Sequence, residues 1–149
     1  MNIITLDFET FYDSKIKLGF KHQTTEEYVR DERFEVVGVS VALNDEEPLW
    51  FSGDFDIIKS RLRNLYDWEN SLAHNTQFDG SILSWLFGIR PKGYLDTLCM
   101  ARAIHGVEAG GSLAKLADRY GIGEKGTEVV TAEGKRRKDF TPEDLARYG

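Results

Sequence analysis

Asp7-Phe8-Glu9 sets two carboxylates two residues apart at the end of an apolar, β-branched run, Ile3-Ile4-Thr5-Leu6. In a strand the period-2 alternation sends both acids to one side and buries Phe8 on the other. Two carboxylates held on one side repel each other unless a cation sits between them, and hard oxygen ligands of this kind suit Mg²⁺ or Mn²⁺. The pair alone is common, and a solvated strand end explains it equally well. A second group, His74-Asn75-Thr76-Gln77-Phe78-Asp79, falls where a short strand gives way to a helix. The helix dipole accounts for Asp79 in a first turn. It does not account for Asn75 and Phe78 beside it. Together these supply an amide, an aromatic face and a carboxylate within one turn, a set able to grip a nucleotide and help hold a metal.

The elements that must position these groups follow from local pattern. Strands are expected at Asn2 to Asp7, at Phe34 to Leu43 with Val37, Val39, Val41 and Leu43 on one face, at Leu49 to Phe51 after the NDEE turn, at Ser71 to His74 and at Tyr94 to Asp96. Helical spacing appears from the Asp54 cap through Phe55, Ile58, Leu62 and Leu65. Further helices are expected from Phe78 to Phe87, closed by Gly88 and Pro91; through Met100 to Ile104; and from the Ser112 cap through Tyr120 to Gly121. Gly123 to Lys138 reads as a mobile hairpin or loop around Val129-Val130. Thr141-Pro142-Glu143-Asp144 is a strong helix start with a Thr cap, proline at the first position and acids in the first turn. The chain stops at Gly149 about two turns later, so a helix cut short is expected.

Composition sets bounds. The chain has 149 residues, 41% hydrophobic and 12% aromatic, enough for one well-filled core. Its 19 basic against 25 acidic residues give a net charge of −6, which argues against nucleic-acid binding through a broadly basic surface. A single cysteine, Cys99, excludes an internal disulfide and suits a reducing cytoplasm. No long apolar span or signal-peptide pattern is present, so no membrane partner is expected. Gly134-Lys135 is not a phosphate-binding loop, because Arg136 stands where Ser or Thr belongs and Val129 where the first Gly belongs. The run Lys135 to Lys138 reads as a solvated loop or a contact for a nucleic-acid backbone. Asp96 reads as a helix cap, and His74 as a hydrogen-bonded structural histidine.

LDFET at Leu6 to Thr10 and HNTQFD at His74 to Asp79 resemble the first two motifs of the DEDD 3′–5′ exonucleases. The similarity is strongest to the exonuclease domain of phage and bacterial family A DNA polymerases, and LDTLCMAR around Asp96 and SLAKLADRYG fit the same pattern. Tyr148 stands where the tyrosine branch begins its Y-x3-D motif, whose Asp would lie beyond Gly149. The resemblance implies an RNase H-like three-layer α/β fold, a mixed five-stranded sheet with helices on both faces. It implies a domain, residues 1–149, incomplete at its carboxyl end. It implies hydrolysis of the 3′-terminal phosphodiester of single-stranded DNA with two Mg²⁺ or Mn²⁺ ions. Asp7, Glu9 and Asp79 would hold the ions, and Tyr148 would orient the attacking water. The Thr10 and Phe11 backbone, Asn75 and Phe78 would meet the terminal nucleotide, and a polymerase domain, linked or separate, would be the partner. Two other readings stay open: a stand-alone nuclease on short RNA or DNA ends, and a non-catalytic binding module.

Overall fold

A computed structural model describes residues 1–123 and 132–148 of the chain, the side chain of Tyr148 excepted. The β-branched start becomes β1, Ile3–Thr10, the middle strand of a five-stranded sheet. It pairs antiparallel with β2 (Val36–Leu43), which pairs antiparallel with β3 (Leu49–Ser52). On its other edge β1 pairs parallel with β4 (Asn70–Ala73), and β4 pairs parallel with β5 (Gly93–Asp96). The order is β3-β2-β1-β4-β5, with β2 alone running against the rest. This is the mixed α/β sheet expected from the sequence.

β1 is longer than its apolar run. Its pairing with β2 continues through Asp7↔Ser40 and Glu9↔Gly38 to Thr10↔Val36, so both acids lie inside the strand and not at its exit. A bulge between Glu9 and Thr10 shifts the register there and re-aims the end of the strand. Gly38 is required at its position: a Cβ would come within 2.4 Å of the Trp50 ring, which lies over the strand beside Glu9.

Ile4, Leu6 and Phe8 of β1 are buried with Val39 and Val41 of β2. Against them pack Ile58 and Leu62 of α2 (Phe55–Leu65), which Asp54 caps through the Ile57 N–H. Phe8 stacks on Phe87 at 5.6 Å, as the alternation required. After β4 comes α3, Thr76–Ser81, which runs on without a break into a wider π-type turn at Ile82–Leu86. This turn, which no sequence signal announces, buries Ile82 and Leu83. α4 (Thr97–His105) and α5 (Leu113–Tyr120) follow, and α6 (Pro142–Tyr148) begins at Thr141, whose hydroxyl accepts the Asp144 N–H.

The residues between β1 and β2 carry structure that no element was expected to supply. Ser14–Ile16 forms a 3₁₀ turn, and α1 spans Thr25–Val29. A capping box, with Thr24 and Glu27 bonded reciprocally, starts α1. Of the expected hairpin, Ala132 to Lys138 is described and includes the start of a 3₁₀ turn, Arg137–Asp139. Val129-Val130 lie outside the described residues. Among the described residues no helix is long and apolar enough to cross a membrane.

Candidate active site

The strand and the helix that carry the two acidic motifs meet through one bond: the Phe8 backbone N–H donates to Asp79 Oδ1 at 2.9 Å, across 71 residues of sequence. Asp79 is only 3% exposed. Burial pushes its carboxyl up to about 7, the Phe8 N–H pulls the other way, and the charges of Asp7 and then Glu9 push it further up. The three carboxylates therefore share one electrostatic field. Among the described residues, no three His, Cys, Asp or Glu side chains stand close enough to enclose a metal ion. The donor set nevertheless suits Mg²⁺ or Mn²⁺: all its atoms are carboxylate oxygens, and Asp79 lies where a negative charge is costly until a cation offsets it.

Beside Glu9 opens a cavity of about 530 Å³ whose lining includes Glu9, Thr10, Phe20, Lys21, Tyr28 and Phe78. Its wall is aromatic. Phe20 meets Phe78 edge-on at 4.6 Å and Tyr28 edge-on at 5.3 Å, and Tyr28 lies parallel to Phe78 at 6.0 Å. Thr10 and Phe78 both line this cavity. Phe20, Tyr28 and Lys21 were not anticipated, although the Thr24…Glu27 capping signature marks the helix that delivers Tyr28.

Phe11 stands behind this wall. Its N–H donates to Glu35 O at 2.8 Å, its carbonyl accepts from the Tyr28 hydroxyl at 2.7 Å, and its buried ring lies 4.0 Å beneath the Arg136 guanidinium. It supports the cavity from behind and does not line it. Asn75 stands at the start of α3 in the left-handed region, φ +74°, and its side chain makes no cap bond. It also lies outside the lining of the aromatic cavity. Tyr148 ends α6; the position of its side chain lies outside the described residues.

Asp96 and His74 hold the scaffold. Asp96 Oδ1 accepts from the N–H groups of Asn75, Leu98 and Cys99, and Oδ2 accepts from that of Thr76, so one carboxylate caps both α3 and α4. Partial burial acts to raise its pKa, but these donors outweigh it and leave the carboxyl below its ordinary value. His74 Nδ1 pairs with Thr97 Oγ1 at 2.9 Å. Asp96→Ala is expected to lower stability by about 2 kcal/mol at neutral pH in denaturant melts. Because the native pKa is lowered, the deficit should shrink as pH falls through the native value and the wild-type carboxylate is protonated. A deficit independent of pH would contradict the capping role.

The basic run is partly committed to structure. Arg136 pairs with Glu35 at 2.9 Å, and the Arg137 N–H donates to the same carboxylate at 2.7 Å. Lys138 and the Arg137 side chain face a separate groove beside Phe55.

This is an RNase H-like α/β fold, with the two acidic motifs brought together across β1 and α3. Similar solved structures include Brucella melitensis NrnC with bound Mg²⁺, at TM-score 0.62 and 13% identity over 97% of this chain and 63% of that one. NrnC bound to pGG matches at TM-score 0.60 with the same identity and coverage. Trypanosoma brucei RNase D in complex with RNA U12 matches at TM-score 0.61 and 22% identity, over 94% of this chain and 47% of that one. The chain thus spans less than two thirds of each. No family model and no curated protein sequence matches it.

Proposed function

We propose that this chain is a divalent-metal-dependent 3′–5′ exonuclease module acting on short single-stranded RNA or DNA ends. The observation that carries the reading is the Phe8–Asp79 bond, which holds a buried carboxylate in the field of Asp7 and Glu9 beside an aromatic cavity. Mg²⁺ in one neighbour, and pGG and RNA U12 in others, support free short ends over a proofreading role within a polymerase. The polymerase-linked reading on single-stranded DNA rests on the LDFET and HNTQFD motifs and on Tyr148.

Asp7, Glu9 and Asp79 would hold the ions, two in this reading. When bound, the ions lower the pKa of water and offset charge developing on the phosphate oxygens. Phe8, through its N–H, fixes the orientation of Asp79. Phe20, backed by the buried Phe78 and Tyr28, gives the terminal nucleotide an apolar face, a mode tolerant of base identity. Lys21 supplies a cation to the cavity lining for a phosphate. A tyrosine hydroxyl, near pKa ~10, is too weak a base at neutral pH, so the role proposed for Tyr148 is to orient water. Water bonds to phosphorus as the P–O3′ bond breaks, a nucleoside 5′-monophosphate leaves, and the shortened strand keeps a 3′-hydroxyl.

The test uses 5′-labelled RNA and DNA oligonucleotides of about a dozen nucleotides, with Mg²⁺, Mn²⁺ or chelator. A ladder shortening from the 3′ end, lost with chelator and slowed at least ~100-fold by Asp7→Ala plus Glu9→Ala, is expected. Cleavage unchanged in that double variant sinks the assignment. Tight strand binding with no cleavage in either metal selects the non-catalytic reading.

A further inference from the structure

The cations of the basic run divide between two roles. Arg136 is committed to structure: its guanidinium lies over the Phe11 ring at 4.0 Å and pairs with Glu35 at 2.9 Å. Arg137 and Lys138 line a groove of about 350 Å³ between the start of β2 and the start of α2, walled by Phe34, Phe55 and Leu86. The two acids of that groove are engaged. Glu35 accepts from Arg136 and from the Arg137 N–H, and Asp54 accepts from the Ile57 N–H as the cap of α2. Among the described residues, neither the Arg137 guanidinium nor the Lys138 ammonium pairs with a carboxylate. The groove therefore carries unbalanced positive charge in a chain of net charge −6. Its wall is apolar, and Phe55 is 44% exposed. Two cations along such a wall suit a single strand of nucleic acid, whose phosphates meet the charges while sugars and bases cover the apolar surface.

The groove adjoins the aromatic cavity. Phe34 of the groove meets Tyr28 of the cavity edge-on at 5.0 Å. One chain segment also serves both: Glu133 lines the cavity and Arg137 the groove, four residues on and so at most about 14 Å away. The segment is pinned between them, since the Gly134 N–H donates to Tyr12 O at 2.9 Å and Arg136 holds Glu35. We propose that this groove is a second nucleic-acid site, which holds phosphates of a strand whose 3′ end lies in the cavity. A ligand too short to leave the cavity gains nothing from it. The inference rests on reading the cavity as the terminal-nucleotide pocket.

The experiment compares a long and a short ligand on the full chain. Binding of labelled single strands of about a dozen nucleotides is read by fluorescence anisotropy in chelator, at roughly 50 to 200 mM salt. Binding of AMP, which fills the cavity alone, is read by calorimetry in Mg²⁺. Arg137→Ala plus Lys138→Ala is expected to weaken the long strand about tenfold and to reduce the slope of log affinity against log salt by about 1.4, at ~0.7 per phosphate contact. AMP affinity and the melting temperature should not move. Arg137→Lys plus Lys138→Arg should keep the salt slope, and Phe55→Leu, which keeps an apolar residue on Phe87, should weaken the long strand severalfold. An unchanged long strand, or an equal loss for AMP, overturns the proposal. Displacement of the strand by an oligo-glutamate peptide as effectively as by unlabelled strand overturns nucleic acid as the occupant. A length-dependent loss without trimming of any 3′ end overturns the hydrolase reading and leaves the groove standing. Trimming with no dependence of strand binding on Arg137 and Lys138 does the reverse.

Discussion

Asp79→Asn is expected to stabilise the metal-free protein at neutral pH while abolishing cleavage. The carboxyl of Asp79 titrates near 7 in the folded chain against 3.8 as its ordinary value, and burial is the main cause. Between those values the native state binds more protons than the unfolded chain, so the wild-type protein loses stability as pH rises through the window. Its contribution is fully present below about pH 4 and gone above about pH 7. Asparagine retains an oxygen for the Phe8 N–H and carries no charge to bury. The gain is no more than about 4 kcal/mol, the free-energy equivalent of the shift, and a rise in Tm of roughly 5 °C is a reasonable scale. Melting curves taken with chelator from pH 4 to 8 should diverge upward with pH and converge at the acid end. Adding Mg²⁺ should raise the Tm of wild-type protein only, because binding to the native state stabilises it and the variant lacks the buried negative charge. Parallel curves, or an equal response to Mg²⁺, would show that Asp79 is not the strained carboxylate of a metal site. A residue that costs stability in exchange for a cation site is what a catalytic carboxylate looks like energetically.

The parts of this site visible in the sequence are those set by short-range periodicity. Alternation in Ile3 to Glu9 assigned Phe8 to the core and both acids to one side, and the structure buries Phe8 against Phe87 and leaves Asp7 exposed. Asp54, Ser112 and Thr141 each mark a helix start by chemistry confined to a few residues. The cavity wall was hidden for the opposite reason. α1 has five residues, too few for a 3.6-residue period to declare itself, and the value of Tyr28 comes from contacts with Thr10 and with Phe78, 50 positions away. Thr24-Thr25-Glu26-Glu27 was a readable start signal for it. For Phe11 the resemblance implied a backbone contact with the terminal nucleotide, and periodicity could say nothing of its neighbours. Its backbone joins Glu35 and Tyr28, partners that a linear reading does not place beside it. Arg136 likewise left the solvated-loop category by pairing with Glu35, 101 residues earlier.

Phe20→Ala is expected to weaken nucleotide binding with little effect on folding. Phe20 is 54% exposed, yet its ring meets Phe78 at 4.6 Å and Tyr28 at 5.3 Å, so it is the accessible member of the aromatic wall. The two partners are buried, and truncating Phe78 would confound binding with the cost of a core cavity. Phe20 avoids this, since its removal opens no enclosed space. Stacking of a base on an aromatic face contributes about 1–3 kcal/mol, which corresponds to a loss of roughly 5- to 150-fold in affinity. The loss should appear in KM or in the Kd for a nucleoside monophosphate, with kcat changed much less, because the ring is placed to hold the ground state and the transition state alike. It should be of similar size for purine and pyrimidine ends, and Phe20→Tyr or Phe20→Trp should restore it. A Phe20→Ala protein with wild-type KM, or one whose kcat falls while KM is unchanged, would remove the aromatic cavity from the substrate path and leave the carboxylates to be explained without it.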